Sequence, residues 1–339
     1  MITCNPIRFS AIFRWMLMLG VWIVPHVVQA QWHATVGAQS KDKGRQALAF
    51  LPNEIWIHAG DNITWNFDVD EIHTVTFLKA GQTRLHRLVG CPGFTLGGSA
   101  TFDGSTCVTT ASLVKGQTFT VTFPIAGNYK LVCLVHPNMT GVVHVLGLSA
   151  LLPHDQDFYD DQAEDQREAL LSDRDNEGDH EGGHGRDDLD SDSEHSHGNE
   201  VTAGIGEISA TAGGSDTLSV MRFIRSRTVI HAGETVEWTN SDPVTPHTIT
   251  FGIEPANPNP PSGNVTLDAD GARNAVINSP ADNVHSGFIV APPQDRIGLA
   301  QAPLAVTRFR VTFTSPGVFP YICALHDDVG MKGTVTVLP

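Results

Sequence analysis

The sequence predicts an all-β protein built as two β-sandwich domains in tandem, joined by a disordered acidic linker. Three observations carry that reading. A pattern of aromatic, turn and histidine residues occurs twice along the chain. Within each copy, apolar residues alternate with polar ones, the period-two signature of half-buried strands. Between the copies lies a stretch that holds nearly all of the net charge.

The repeat is read first. One copy runs from Ile57-His58-Ala59-Gly60-Asp61 through Trp65 to His73-Thr74-Val75-Thr76-Phe77. The other runs from Ile230-His231-Ala232-Gly233-Glu234 through Trp238 to His247-Thr248-Ile249-Thr250-Phe251. Further on, Phe119-Thr120-Val121-Thr122-Phe123 matches Phe309-Arg310-Val311-Thr312-Phe313, Gly127 matches Gly317, Cys133 matches Cys323 and His136 matches His326. Tandem duplication is the simplest cause. Ile55/Ile57, Val75/Phe77, Phe119/Val121/Phe123 and Phe309/Val311/Phe313 mark strands, and the Ala-Gly-Asp and Ala-Gly-Glu triplets mark turns between them. Neither copy shows helical periodicity. Many short strands with Gly- and Pro-rich turns argue for a sandwich, and each copy is long enough for its own core.

The boundaries follow from composition. Arg8 and Arg14 precede an apolar run from Trp15 to Val28, and Val28-Gln29-Ala30 offers small residues at cleavage spacing, so residues 1–30 read as a secretory signal cut near Ala30. The run is short for a bilayer span, and Pro25 and His26 interrupt it. The mature chain is therefore expected to be periplasmic or secreted, with no stable membrane insertion after cleavage. The formal charge is −16 for the whole chain, but between Leu151 and Glu200 eighteen acidic residues face Arg167, Arg174 and Arg186, a net of −15. Such a stretch buries too little apolar surface to offset the entropy of ordering it. Residues 149–200 are thus expected to be a disordered spacer extended by self-repulsion. Domain 1 is expected at 31–148 and domain 2 at 201–339. The spacer histidines His154, His180, His184, His195 and His197 are read as part of its polar composition rather than as a metal site. No nucleic-acid partner is expected.

The chemistry rests on two matching sets of residues. A mononuclear copper site for electron transfer uses one thiolate, two imidazoles and a weak axial thioether. The first block offers His73, Cys133, His136 and Met139, and the second offers His247, Cys323, His326 and Met331. In each, one histidine lies far upstream and three ligands cluster near the end, as suits loops gathered at one end of a sandwich. A lone Met or buried Cys is usually core packing. Here each Cys stands three residues before a His, at equivalent positions of both repeats, and ligation is the better account. Cys91 and Cys107 flank a Gly- and Ser-rich insertion without a counterpart in the second block and are expected to form a disulfide. Cys4 leaves with the signal. His58 and His231 read as polar strand-end residues, and His144 and His285 have no repeat partner.

Tyr129-Lys130-Leu131-Val132-Cys133-Leu134-Val135-His136-Pro137-Asn138-Met139 resembles the ligand loop of amicyanin. Pro320-Tyr321-Ile322-Cys323-Ala324-Leu325-His326-Asp327-Asp328-Val329-Gly330-Met331 is similar to the loop of plastocyanin and pseudoazurin. The resemblance to the cupredoxin family covers both blocks but not the spacer. It implies Greek-key β-sandwiches, two type 1 copper ions per chain, one in each domain, and a role in electron transport.

Function is argued from the sites, since the fold alone hosts several. An electron carrier exchanging with redox protein partners is expected, not an enzyme. The competing readings are a copper oxidoreductase, of the nitrite-reductase or laccase-like kind, and a copper storage or delivery protein. The oxidoreductases wire a catalytic copper through a His next to the type 1 Cys. Here the neighbours are Val132 and Leu134, and Ile322 and Ala324. The two loops differ in spacing, so the sites are expected to differ in potential, passing electrons in series or serving separate partners. Residues 254–304 leave room for further strands and an exposed loop.

Overall fold

The computed structural model describes residues 29–85, 91, 97–172, 199–291 and 306–339. The expected signal segment, apart from its last two residues, and the later part of the expected spacer, 173–198, lie outside the described residues.

Domain 1 contains β1 (Gln31–Gln39), β2 (Arg45–Leu51), β3 (Glu54–His58), β4 (Asn62–Phe67), β5 (Thr76–Phe77), β6 (Gly98–Thr101), β7 (Val108–Thr109), β8 (Thr118–Thr122), β9 (Gly127–Val132) and β10 (Thr140–Leu146). One layer runs β2-β1-β4-β8-β6, and the other runs β3-β10-β9-β5-β7. Alternation places Ile55, Ile57, Val75, Phe77, Phe119, Val121 and Phe123 between the layers, all of them buried, around Trp65. At the β3–β4 turn Gly60 takes φ of +99°, a conformation open to glycine at little cost.

Domain 2 repeats the plan with β11 (Glu200–Ala210), β12 (Ser215–Ile224), β13 (Arg227–His231), β14 (Thr235–Ser241), β15 (Thr250–Phe251), β16 (Thr266–Leu267), β17 (Arg273–Ile277), β18 (Val284–His285), β19 (Arg308–Phe313), β20 (Gly317–Ile322) and β21 (Lys332–Leu338). Its layers run β12-β11-β14-β19-β17-β16 and β13-β21-β20-β15-β18. Phe309, Val311 and Phe313 pack with Trp238 in its core. Apart from β16 and its pairing with β17, which have no counterpart described in domain 1, the pairings match strand for strand. β1 is antiparallel to β2 and parallel to β4, as β11 is to β12 and β14. The segment from 254 to 304 supplies β16, β17 and β18, while its end, 292–304, lies outside the described residues.

The two domains join mainly along one edge strand each, β2 and β12, and β12 also meets β10 at Thr140 opposite Ser215. β12 pairs antiparallel with β2, from Thr217 opposite Leu48 to Val220 opposite Arg45, and Met221 N–H donates to the Gly44 carbonyl over 2.7 Å. Within the domains Phe50 faces Val36 and Phe223 faces Ala203, so Phe50 and Phe223 are counterparts. On the same count Gln46 corresponds to Ser219, and these two residues face one another across the junction. The register therefore maps onto itself, and the junction is self-complementary. It also covers two strand edges that would otherwise expose unpaired backbone groups.

One expectation is corrected. The first part of the spacer is not disordered: residues 156–171 form α1 (Gln156–Leu171), capped by the Asp155 carboxylate, which accepts from Phe158 N–H. The outer face of β1 and β2 carries Ala38, Ala47, Ala49 and Leu51, and Leu170 packs on it with Ala163 and Leu171 beside it. Tyr159 is buried against Trp32 and accepts the Trp56 N–H over 2.9 Å. Tyr159, Ala163 and Leu170 share one helical face, and that face alone pays the ordering entropy while the acids point to water. The expected disulfide is present, Cys91 to Cys107.

Candidate metal centres

Each centre is assembled from a far-upstream histidine and a loop before the last strand. His73 is pinned to Leu113 by a backbone pair, donating its N–H over 3.0 Å and accepting over 2.8 Å. His247 is pinned to Ile289 in the same way, over 3.0 and 2.9 Å. Cys133, His136 and Met139 lie between β9 and β10, and Cys323, His326 and Met331 lie between β20 and β21. Both loops close alike: Cys133 N–H donates to Met139 O and Cys323 N–H to Met331 O, each over 3.0 Å. The two extra residues of the second loop are taken up in a turn from Asp327 to Gly330, with Gly330 at φ +96°.

The ligand atoms converge. His73 Nδ1 lies 3.1 Å from His136 Nδ1, and Cys133 Sγ lies 3.8 Å from the latter. In domain 2 His247 Nδ1 lies 3.1 Å from His326 Nδ1, with Cys323 Sγ at 3.8 and 3.3 Å from the two. Within each set all three ligand atoms lie within 4.8 Å of one another, and all six residues are buried. Two imidazole lone pairs aimed at each other across 3.1 Å repel unless a proton or a metal ion lies between them. A thiolate beside them makes the set suited to copper rather than to a hard, oxygen-seeking cation. Met139 and Met331 are fully buried in the same cores.

Several residues that the sequence reading passed over hold these ligands. The Thr74 and Thr248 N–H groups donate to the cysteine sulfurs over 3.4 Å each, and their hydroxyls accept from Leu134 N–H and Ala324 N–H over 2.7 Å. The His-Thr dipeptide occurs in both repeats and was a usable signal. Behind the upstream histidines stand two glycines at β-bulges, Gly37 at φ +72° and Gly204 at φ +80°. A Cβ at Gly37 would lie 2.7 Å from His73 Nε2, and one at Gly204 would lie 2.1 Å from His247 Nε2. These two glycines escaped notice because the β11–β12 hairpin is longer than β1–β2, which shifts them out of the repeat's count.

Beyond the ligands the centres diverge. In domain 2 the buried Asp242 places Oδ2 3.8 Å from His247 Nε2, while Oδ1 accepts from Val244 and Thr245 N–H over 2.9 Å. In domain 1 Arg84 donates to the Cys133 and Leu134 carbonyls of the ligand loop. Glu71, two residues before His73 and almost fully buried, lies 3.2 Å from His136 Nε2 and 3.6 Å from His326 Nε2 of the other domain. No sequence signal marked Glu71, whose second partner, His326, comes from the other domain.

The electrostatics favour thiolates. Burial alone would raise the Cys133 thiol, but hydrogen bonds and charge from His136 and His73 outweigh it and hold the thiol well below its usual value. Cys323 is held down likewise, with burial opposed by His326 and His247. Burial lowers His73. His136 rises to about 9 because the Cys133 thiolate and Glu71 overcome burial, and His247 rises to about 9 because Asp242 and Cys323 do the same. Glu71 falls to about 2, burial being outweighed by the hydrogen bond from His136 and the charges of His326, His136 and His73.

The remaining histidines are accounted for locally. His58 Nε2 lies 2.9 Å from the Ala150 carbonyl, His231 is exposed near Glu234, and His144 stacks on Trp56 beside Glu54. His285 bridges Thr250 and the Pro258 carbonyl. Of the spacer histidines only His154 is described, stacked on Phe158; His180, His184, His195 and His197 lie outside the described residues.

Fold and ligand sets together define a class: a tandem pair of β-sandwiches, each with a buried His-Cys-His metal centre. Residues 37–146 and 209–338 both match the copper binding proteins of the plastocyanin/azurin family, and the chain belongs to that family. Among solved structures it is similar to amicyanin from Paracoccus versutus (Thiobacillus versutus), at 22% identity over 34% of this chain and 81% of that one, with a TM-score of 0.24. It is also similar to the oxidized form of plastocyanin from Dryopteris crassirhizoma, at 20% identity over 41% of this chain and 99% of that one, with a TM-score of 0.22.

Proposed function

We propose that the protein is an exported carrier of single electrons with one type 1 copper ion in each domain. His73, Cys133, His136 and Met139 would hold the first, and His247, Cys323, His326 and Met331 the second, each Met as the weak axial ligand. The observation that carries this reading is the pair of buried His-Cys-His sets, each with its sulfur hydrogen-bonded and its upstream imidazole backed by glycine. Copper bound to such a set cycles between Cu(I) and Cu(II) and so accepts or gives one electron.

The protein's own residues keep that exchange free of rearrangement. The backbone pairs with Leu113 and Ile289 fix the upstream rings, and the Met carbonyls clasp the Cys N–H groups. Thr74 and Thr248 hold the sulfurs. Ligand atoms held this way keep one geometry for both oxidation states, and burial keeps water and small substrates away. The apolar neighbours Val132, Leu134, Ile322 and Ala324 support a carrier over an oxidoreductase, since none offers an imidazole beside the thiolate. Donor and acceptor are other redox proteins. No helix among the described residues is long and apolar enough to cross a membrane. Metal analysis with an absorption spectrum of the purified protein tests the reading. Two coppers per chain with intense thiolate-to-copper bands are expected, whereas a third copper accompanied by turnover of nitrite or oxygen would replace it with the enzyme reading.

A further inference from the structure

We infer that Glu71 is a shared carboxylate bridge between the two centres, standing between His136 and His326 so that one electron passes directly between the domains within a single chain. The inference rests on the carrier reading above and adds to it the route and the residue. His136 and His326 use Nδ1 toward their own cysteine, which leaves Nε2 on the far side of each ring. Both Nε2 atoms lie beside the same carboxylate: Oε1 is 3.2 Å from His136, and Oε2 is 3.6 Å from His326, an ion-pair contact longer than a hydrogen bond. An imidazole that binds metal through Nδ1 carries its proton on Nε2 and needs an acceptor there. A carboxylate has two oxygens with which to serve two such donors. Glu71 is thus matched in number and position to the two rings.

The surroundings exclude a bland account. A buried carboxylate is costly unless it is paired, and Glu71 is 7% exposed with no Lys or Arg partner among the described residues. Its pairing depends on both domains at once. Val244 of domain 2 is packed into the core cluster of domain 1, and β2 and β12 lock the domains in register. Both rings are closed off from solvent, His136 at 2% and His326 at 3% exposure. Counting back from each upstream histidine, the counterpart of Glu71 is Thr245, so the bridge comes from one domain only and completes both sites.

The exchange balances without any co-reactant. The reduced centre gives up one electron and the oxidised centre gains it; no proton, bond or atom changes place. External donor and acceptor proteins supply and remove the electron. Transfer through atoms in close contact is faster than across empty space, so the route ring–carboxylate–ring favours exchange inside the chain. Glu71 acts as a positioning residue for both rings.

The test uses the full-length, doubly loaded protein and two variants, E71Q and E71A. E71Q keeps the shape but replaces one acceptor oxygen by a donor, and E71A removes the bridge. After a one-electron pulse, the concentration-independent relaxation between the two centres, read on the molecules that hold both copper ions, should slow at least tenfold in E71A and less in E71Q. A relaxation unchanged within twofold in both variants would overturn the bridge while leaving the carrier reading intact. Absence of the bands in the unmodified protein would instead remove the carrier reading. Should the variants fail to fold, the reduced native protein decides. Nitrogen-15 NMR should show slowly exchanging Nε2 protons on both His136 and His326, and fast exchange with solvent at either ring would refute the bridge.

Discussion

The two domains share their core strand pairings and every proposed ligand, and they differ in what stands behind the ligands. Domain 2 sets its own Asp242 carboxylate 3.8 Å from the Nε2 of its upstream ring, whereas the Nε2 of His73 has no such carboxylate among the described residues; neither Nε2 makes a hydrogen bond. Domain 1 instead carries a loop-capping Arg84, a disulfide and a packed helix, none with a counterpart described in domain 2. The lesson is that the ligand geometry was copied whole, whereas the parts that tune it changed separately. Hydrogen bonds and charge around a ligand adjust a copper centre without altering its ligand list. Divergence there would give two copies of one site two potentials.

The comparison breaks most visibly at the thiolates. Replacing Cys133 by Ser should remove one copper and one thiolate-to-copper band, and Cys323→Ser should remove the other; loss of both from either change would show that the centres do not load independently. The glycines come next. Gly204→Ala should cost its domain the copper and more than about 1 kcal/mol of stability, because a side chain is forced into a left-handed backbone and into the His247 ring. Gly37→Ala should do less to domain 1, since its closest approach is 2.7 Å against 2.1 Å. Equal band losses would mean that ring backing does not scale with that gap.

A third contrast lies at the junction. Burial raises Asp216 to about 7, opposed only by a weak bond from Asn53 of the other domain. A carboxyl raised in the folded state favours folding fully below its unfolded value, near 4, and that advantage is lost as pH rises through about 7. Asp216→Asn should therefore be neutral at pH 4 and stabilising above pH 7, by up to about 4 kcal/mol. Thermal unfolding of both proteins from pH 4 to 8.5 measures this, and parallel curves would contradict it. The smallest effect is expected at the helix. Leu170→Ala should lower the stability of domain 1 by about 2 kcal/mol and leave domain 2 and both copper bands unchanged in denaturant titrations.

Much of this architecture could be read from the residues. Alternation marked the core strands, and the duplicated His, Cys, His and Met positions marked both centres because chance does not repeat such spacing. The helix was hidden because composition averages over a segment, while burial needs only one face: Tyr159, Ala163 and Leu170 are few among many acids. Glu71 and Asp216 were hidden for a different reason. Their environments are made by the other domain, and a one-dimensional reading assigns a charged residue to water unless something says which surface will close over it.

The junction between β2 and β12, centred on Gln46 opposite Ser219, speaks to ancestry. An edge that pairs with its own copy is the contact of a closed two-fold dimer. A single-domain ancestor meeting itself along that edge would already have set two metal centres face to face. Fusion of the two copies then fixed their ratio at one to one and made assembly independent of concentration. It also released a constraint: in a dimer of identical chains every substitution occurs twice, whereas here a lone glutamate can be placed on one side and serve both.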